Sequence, residues 1–423
     1  MASINPPQAH KPRGKKPKPE NPIISAARSW LNSVPSQARL WSSEDELQIL
    51  LNEQTPKRYT VYSPMVLLPS GSFSKGSWPS ILSHPDISDE KFHELWEALL
   101  HEISITGVGK VTHLAVNEGI PPHKDSQSEG ASKDDGENIL RSPSGLKILH
   151  GGFGPSIQTP NPSPEDFDAA FWVSTKQNGI YQTWAPRYTM FSRGNIKEKA
   201  RLLDFHRNAN EQPKRTLSKP AHHFWAVDLY AGIGYFTFSY AKLGMMVLCW
   251  ELNPWSVEAL RRGAIANGWT VKVIQGAELQ LPAQQLLTGD EQIVVFLQDN
   301  HQAACRIQEM RSSERWVSTL DNIIHVNGGL LPTSEPIWQA AWDMLPREEC
   351  RCWAHLHENV GVNDIETRRA EIQHLYDSFA AADPEDRRMA AVEHVELVKT
   401  YAPDVWHCVF DVYITSPDSR PDR

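Results

Sequence analysis

The sequence predicts an α/β fold in which a doubly wound parallel sheet ends in an antiparallel hairpin, with a smaller α+β domain before it. From about residue 222 onward, apolar runs alternate with helix-like stretches, which is typical of strand–helix–strand units. The first of these runs ends in Asp228, and two glycines, Gly232 and Gly234, follow it. Two β-rich runs, 395–403 and 405–415, lie close together, and this spacing allows an antiparallel pair.

The chain of 423 residues divides by composition before this α/β part. A start rich in proline and lysine predicts a disordered tail, and a segment dominated by Pro, Ser, Asp and Gly predicts an exposed insertion. Two β-rich runs around Asn178-Gly179 predict a hairpin. The predicted parts are a basic tail (1–35), an N-terminal domain (36–118), a flexible insertion (119–146), a β-rich connection (147–220), the α/β domain (221–416) and a second tail (417–423).

The elements of the α/β part follow one another in a regular order. Helix-like stretches separate most of the apolar runs, and Pro254 stands at the first turn of the second helix, where its missing N–H costs little. A parallel series with an antiparallel pair at its end fits the class I methyltransferase variant of the doubly wound fold. The strands are predicted in 226–231, 245–252, 271–276, 292–299, 315–327, 350–360, 395–403 and 405–415.

The acids and glycines of the first unit indicate which nucleoside it binds. The dinucleotide pattern G-x-G-x-x-G is incomplete, because Thr237 stands where a third glycine would pack beside a pyrophosphate. We expect Asp228, at the end of the first strand, to attract a positive charge, and Glu251, at the end of the second, to accept two ribose hydroxyls. This combination favours S-adenosylmethionine, and the alternatives are a dinucleotide site or a purely structural unit.

Charge and cysteine content narrow the class of protein. The net charge is −9, but residues 187–219 hold nine Lys or Arg against three acids, so we expect a local basic face that binds phosphates. No apolar stretch is long enough for a membrane span, and no secretory signal is present. Five scattered cysteines predict a reducing, cytoplasmic setting. We expect no metal site, since the spacing of Cys350 and Cys352 is too short for zinc.

Several blocks of the chain resemble the tRNA wybutosine-synthesizing protein 2 family, in the family's order. The run DLYAGIGYFTF (228–238) with WELNPWSVEALRRG (250–263) carries the general fold. The blocks FSRGNIKEKAR (191–201) and LLPTSEPIW (330–338) are more specific, and HLHENV (355–360) follows them. The similarity extends over roughly residues 37–415.

The resemblance implies an activity that residue spacing does not reveal. Members of this family transfer the 3-amino-3-carboxypropyl chain of S-adenosylmethionine to 4-demethylwyosine beside the anticodon of tRNA(Phe), and release 5′-methylthioadenosine. The partner is then this tRNA, with no DNA and no membrane, and 221–416 is the catalytic domain. Two alternatives stay open, a tRNA guanosine methyltransferase and an inactive tRNA-binding relative. The absence of an Asn-Pro-Pro-Tyr tetrad speaks against an amino-methyltransferase.

The resemblance also implies roles for particular residues. Ser192 and Lys199 match the family's partners of the methionine carboxylate, and Glu251 matches its ribose-binding acid. The family's adenine position, after the third strand, falls on Ala277 and Glu278, which departs from the family's Asp-Asn.

The block from 321 to 331 is a second departure, because it lacks an Arg and is longer. We expect it to face the reactive end of the cofactor, with Asp321 as the candidate for orienting the substrate.

Some of these side chains also have ordinary structural explanations. Ser192 fits a helix N-cap, and Lys199 fits a solvated helix charge. His355 and His357 share a strand face, either as a metal pair or as structural residues. Trp184 fits the core, with stacking on a base as the alternative.

Overall fold

The structure is a computed structural model that describes residues 19–117, 145–207, 213–287, 289–312, 320–348 and 350–416. Most of the predicted insertion (119–146) and the whole C-terminal tail (417–423) lie outside these residues. The chain forms two compact units, Met1–Gly119 with Lys147–Gly151, and Ile120–Leu146 with Gly152–Arg423. None of the described helices combines the length and the apolar character that a membrane span requires.

The first unit packs helices against a small mixed sheet. Its strands have the order β1-β2-β3-β4, and β2 is antiparallel to β1 and parallel to β3. Aromatic residues fill the core, where the rings of Trp30, Phe73 and Trp96 lie near Trp78 or each other. The elements are α1 (Pro22–Ser33), α2 (Glu44–Ile49), β1 (Thr60–Tyr62), β2 (Met65–Leu68), α3 (Trp78–Leu82), α4 (Asp89–Ile103), β3 (His113–Asn117) and β4 (Leu146–His150).

The predicted tail over 1–35 was too long, because its last part is the first helix. Pro22 opens α1, and the side chain of Asn21 accepts a hydrogen bond from the Ile23 N–H. Ile23, Trp30 and other apolar residues at helical spacing are buried. The proline content of the start of the chain predicted a tail that includes α1. The apolar face of α1 instead makes this helix part of the core.

The second unit begins with the predicted hairpin. α5 (Pro164–Ala169) precedes β5 (Val173–Gln177) and β6 (Ile180–Trp184), which are antiparallel. Asn178 and Gly179 have φ values of 52° and 73°, the left-handed conformation that a two-residue hairpin turn needs. The hairpin prediction is confirmed, and α6 (Ile196–Asp204) follows.

An eight-stranded sheet forms the centre of the described part of this unit. Its order is β13-β14-β12-β11-β7-β8-β10-β9, and β14 runs antiparallel to both of its neighbours. The strands are β7 (Trp225–Asp228), β8 (Met246–Glu251), β9 (Val271–Ile274), β10 (Ile293–Leu297), β11 (Ile323–Gly328), β12 (Arg351–Gly361), β13 (Met389–Ala402) and β14 (Val405–Thr415). The predicted fold class, a doubly wound sheet with an antiparallel C-terminal hairpin, is confirmed.

Two apolar cores cover the two faces of this sheet. Residues of α6, α7 and α8 pack with Ala226 and Val247, and residues of α10, α11 and α12 pack with Val227 and Leu248. Successive residues of β7 and β8 therefore point to opposite cores, as the pleat of a strand requires. The helices are α7 (Thr237–Lys242), α8 (Pro254–Ala266), α9 (Ala283–Leu286), α10 (Ala303–Arg311), α11 (Trp338–Met344) and α12 (Ile365–Ala382).

Candidate cofactor site at the carboxyl edge of the sheet

Asp228 holds the glycine turn together from inside. Its carboxylate oxygen Oδ2 accepts hydrogen bonds from the backbone N–H (3.0 Å) and the hydroxyl (2.8 Å) of Thr237. Burial raises the pKa of Asp228 to about 6, while the hydrogen bonds act in the opposite direction. The sequence suggested that this carboxylate attracts a sulfonium, but the structure turns it toward the loop.

The two glycines are needed where they stand. Gly232 and Gly234 have φ values of +54° and +87°, which other residues rarely adopt. A Cβ on Gly234 would lie 2.5 Å from the ring of Phe238. The turn therefore brings backbone close to the sheet edge, where a nucleoside can approach it.

Glu251 faces this turn from the end of β8. Its Oε2 accepts the Gly232 N–H at 2.8 Å, and its Oε1 accepts the Asn253 N–H at 2.8 Å. Burial raises the pKa of Glu251, against the effect of these bonds. A carboxylate at this position suits the acceptance of two ribose hydroxyls, which stays a prediction.

Lys199 is a buried ammonium ion next to the same turn. Its Nζ donates to the side-chain oxygens of Gln177 (2.6 Å) and Gln182 (2.7 Å), and Gln182 also contacts the Gly234 carbonyl at 3.5 Å. The ring of Phe191 lies 5.2 Å from Nζ. Burial lowers the pKa of Lys199 to about 8. Lys199 is only 3% exposed, so the alternative of a solvated helix charge is wrong, and within the described ranges no carboxylate pairs with this ammonium.

Ser192 and Trp184 also lie on this side of the turn. The Ser192 N–H donates to the Tyr235 hydroxyl at 3.0 Å, and that hydroxyl donates to the Met190 carbonyl at 2.6 Å. The Ser192 side chain makes no capping bond, so its alternative role as an N-cap is not seen. Trp184 is buried and stacks on Phe191 with ring centroids 4.6 Å apart, which makes it a core residue.

The sheet order corrects the assignment of the adenine end. β10, and not β9, lies beside β8, with Leu297 opposite Glu251. The residues that follow this neighbouring strand are Asp299 and Asn300, whereas Ala277 and Glu278 follow the outer strand β9. Asn300 donates to the Leu229 carbonyl at 2.7 Å, which anchors this loop to the end of β7. The sequence signal for this Asp-Asn pair is QDN (298–300), which directly follows the apolar run of β10.

The prediction for Asp321 was wrong. β11 begins at Ile323, opposite Trp225 at the start of β7, so Asp321 lies at the amino end of the strand. Its side chain is exposed and pairs with Arg311 at 3.4 Å. The glycine turn lies at the other end of these parallel strands. Asn327, which pairs with Asp228, is the polar residue of β11 on the site's edge.

Curated relatives and solved structures resemble this chain over most of its length. tRNA wybutosine-synthesizing protein 2 of Schizosaccharomyces pombe is 40% identical, over 84% of this chain and 72% of its own length. Its Saccharomyces cerevisiae counterpart is 31% identical, over 86% and 75%. The chain belongs to the tRNA wybutosine-synthesizing protein 2 family. No family model matches the chain.

A solved structure of P. horikoshii TYW2 in complex with MeSAdo supports the fold of this family member. The similarity covers 93% of this chain and 99% of that one, with a TM-score of 0.51 and 15% sequence identity. At this identity the comparison concerns the fold alone. It confirms the class I methyltransferase-like architecture that the strand pattern predicted.

The basic segment of this family member is less available to phosphates than its composition suggested. Arg201 is buried between Glu198 and Asp411, with N–O distances of 2.6–3.0 Å. Lys197 and Lys214 pair with acids of β13, Glu396 and Glu393. These charges hold α6 and its neighbours to the sheet, so the basic face is smaller than predicted.

His355 and the two paired cysteines are part of the core. His355 Nδ1 donates to a carboxylate oxygen of Asp411 at 2.7 Å, and His355 Nε2 lies 3.0 Å from His325 Nδ1, which agrees with a structural role. Cys350 and Cys352 are buried with their sulfurs 3.0 Å apart.

Proposed function

We propose that the chain transfers the 3-amino-3-carboxypropyl group of S-adenosylmethionine to 4-demethylwyosine beside the anticodon of tRNA(Phe). Membership of the wybutosine-synthesizing family makes a tRNA-modifying transferase the starting point. The observation that carries the proposal is Lys199, a buried ammonium without a carboxylate partner among the described residues, close to the glycine turn. Such a group suits the carboxylate of a methionine chain.

The side chains around the turn fit the parts of this donor. Glu251 would bind the ribose hydroxyls, and Lys199 with Ser192 would bind the methionine carboxylate. Asp299 and Asn300 are placed better than Ala277 and Glu278 for the adenine amino group, because their strand adjoins β8. The positively charged donor would lie beside Glu251 at the edge of the sheet, where the negative charge of this carboxylate favours it.

Orientation of the donor decides which group is transferred. A sulfonium has three electrophilic carbons, and the one held in line with the nucleophile reacts. When the carboxylate is fixed at Lys199, the methylene next to sulfur is able to face the base while the methyl group points away. The C–S bond of that methylene then breaks, and its electron pair stays on sulfur in 5′-methylthioadenosine.

A donor with two labels distinguishes this reaction from methyl transfer. We expect label from the methionine chain to enter the tRNA and label from the methyl group to stay in methylthioadenosine. Methyl label in the tRNA would instead establish the tRNA guanosine methyltransferase, the second candidate. Mass spectrometry of the anticodon-loop nucleoside identifies the product directly.

Replacing Glu251 tests the placement of the ribose and the inactive alternative together. We expect Glu251→Ala to weaken binding of both S-adenosylmethionine and methylthioadenosine about 10-fold or more, since two charged hydrogen bonds are lost. Binding of tRNA should persist. Calorimetry on the wild type is the control, and a wild type that binds neither nucleoside would favour an inactive relative.

A further inference from the structure

Two buried histidines lie at the carboxyl edge of the sheet, apart from the residues assigned to the cofactor site. His357 on β12 and His407 on β14 are each 1% exposed, and His357 Nδ1 lies 2.9 Å from His407 Nε2. β12 runs parallel to β11, and β11 runs parallel to β7. The end of β12 is therefore on the same edge as the glycine turn.

The neighbours of this pair are segments of the candidate site. The ring of His357 lies 4.8 Å from that of Phe236, directly after the glycine turn. The His357 carbonyl accepts the Ser334 N–H at 3.1 Å, and the Asn359 N–H donates to the Pro332 carbonyl at 2.7 Å. The pair thus lies between the glycine turn and the LLPTSE segment.

Polar atoms of this cluster are buried without partners. His357 Nε2, His407 Nδ1 and both side-chain atoms of Asn359 make no hydrogen bond within the described part of the chain. Each such group lowers folding stability, and native proteins keep few of them. A bound molecule that pairs with them would remove this cost.

The number of protons on the two rings determines which hydrogen-bonding groups the histidine pair offers to a ligand. Burial lowers the pKa of His407 to about 4 and that of His357 well below its usual value, so both rings are neutral near pH 7. Two neutral imidazoles carry two N–H protons, and one of these lies in the bond between the rings. One outer nitrogen therefore donates and the other accepts, in either tautomer.

We propose that His357, His407 and the Asn359 amide form the subsite for the target base of the transferase. This inference rests on the proposed function. A purine-derived base offers a donor and an acceptor side by side on its edge, which one outer nitrogen and the Asn359 amide complement, since Asn359 lies opposite His407 in the pairing of β12 with β14.

The bare outer nitrogen also supplies the proton acceptor that the reaction needs. The ring carbon of the base forms its bond to the donor's methylene carbon as the C–S electron pair moves to sulfur. The proton on that ring carbon passes to the bare nitrogen, and the partner ring's outer N–H can release a proton afterwards. The positive charge of the sulfonium leaves as this proton, so the charges balance.

Two substitutions remove one outer nitrogen each and keep the bond between the side chains. His357→Asn retains an atom near Nδ1, and His407→Gln retains one near Nε2.

The probe is tRNA that carries 4-demethylwyosine with hydrogen or deuterium at the alkylated carbon, together with S-adenosylmethionine labelled in its methionine chain. We expect each variant to transfer about 100-fold more slowly in a single turnover. We expect a primary isotope effect that the wild type lacks, with unchanged calorimetric affinity for S-adenosylmethionine.

His355→Asn is the matched control, because His355 is a buried histidine on the same face of β12 and is bonded through Nδ1 to Asp411. It should change stability without producing an isotope effect. Wild-type rates in both test variants, or slow transfer with no isotope effect, would overturn the subsite. A wild type that forms no aminocarboxypropyl product would instead overturn the proposed function.

Discussion

Lys199 is held by amide oxygens and aromatic faces rather than by an acid. Its ammonium contacts Gln177 and Gln182, and the rings of Phe191 and Tyr235 lie 5.2 and 5.8 Å away. Desolvation without a counter-charge explains why its pKa falls to about 8. Burying the Lys199 ammonium therefore costs desolvation free energy in the ligand-free protein, and the same burial favours an anionic ligand.

Replacing this lysine should separate two ligands that share a nucleoside. We expect Lys199→Met to weaken S-adenosylmethionine binding about 10- to 100-fold and to leave methylthioadenosine, which has no carboxylate, nearly unaffected. Calorimetry with both ligands measures this difference. Lys197→Met is the matched control, since Lys197 is on the same helix and its side chain is 60% exposed. Equal losses for both ligands would contradict the assignment of the carboxylate.

The same residue predicts how binding depends on pH. Only the ammonium form attracts a carboxylate, and its population in the free protein falls as pH rises through about 8. We expect the affinity for S-adenosylmethionine to decrease from pH 7 to pH 9.5 and that for methylthioadenosine to stay level. In Lys199→Met the decrease should disappear. A decrease that persists in this variant would assign the titration to another group.

The glycine turn is the element that links the end of β7 with the segments proposed to bind the nucleoside and the methionine chain. Asp228 closes it through Thr237, Glu251 accepts an N–H from it, and Gln182 contacts it from β6. Tyr235, which is part of the turn, bonds to the backbone beside Ser192. The element therefore brings the FSRGNIKEK segment to the end of β7.

Adding one methyl group to this turn should show how tightly it is packed. We expect Gly234→Ala to lower the unfolding free energy by more than the roughly 1–2 kcal/mol of a left-handed residue, because its Cβ would also press on the Phe238 ring. Gly268→Ala is the control, since Gly268 has φ of +81° and open space around it. Urea unfolding of both variants measures the difference. Similar losses would show that the ring moves aside freely.

Across the whole second unit, a buried ion network joins segments far apart in the sequence. Arg201 of α6 bonds to Asp411 of β14, 210 residues away, and to Glu198. His355 completes the surroundings of Asp411. Arg201 and His355 hold the pKa of Asp411 well below its usual range despite burial. The network ties α6, which carries Lys199, to the C-terminal hairpin.

Breaking this network should cost far more than breaking an exposed pair. We expect Arg201→Met to lower the unfolding free energy by about 3–5 kcal/mol, because it leaves buried carboxylates unpaired. Arg207→Met is the control, since the exposed pair of Arg207 and Asp204 contributes about 1 kcal/mol or less. Urea unfolding at pH 7 tests both variants, and equal effects would contradict the role of burial.

The dependence of folding stability on acidic pH should also change in Arg201→Met. A carboxyl with a depressed folded pKa stabilises the protein above its unfolded pKa of about 4 and loses this contribution as pH falls. Arg201→Met removes the main cause of the depression. We therefore expect its stability to fall less between pH 5 and pH 3 than that of the wild type. A parallel fall in both proteins would show that other carboxyls dominate.

The sequence by itself determined the parts of the molecule that depend on neighbouring residues. The acid–glycine unit, the Asn178-Gly179 hairpin and the antiparallel pair around Asp404 are all present as predicted. Alternation and turn chemistry specify such elements because they act over a few residues. The blocks that resemble the family also pointed correctly to the family and its fold.

Only the tertiary structure decided which of these elements meet. β9 and β10 are both short apolar runs, and no local pattern tells which one pairs with β8, so the sequence leaves open whether Ala277-Glu278 or Asp299-Asn300 follows the strand beside β8. Asp321 and Asn327 lie at opposite ends of one strand, and strand boundaries read from sequence are too coarse to separate them. The burial of Lys199 and the meeting of His357 with His407 depend on strands and helices distant in sequence. Long-range packing places these groups, and it sets the surroundings from which their chemistry follows.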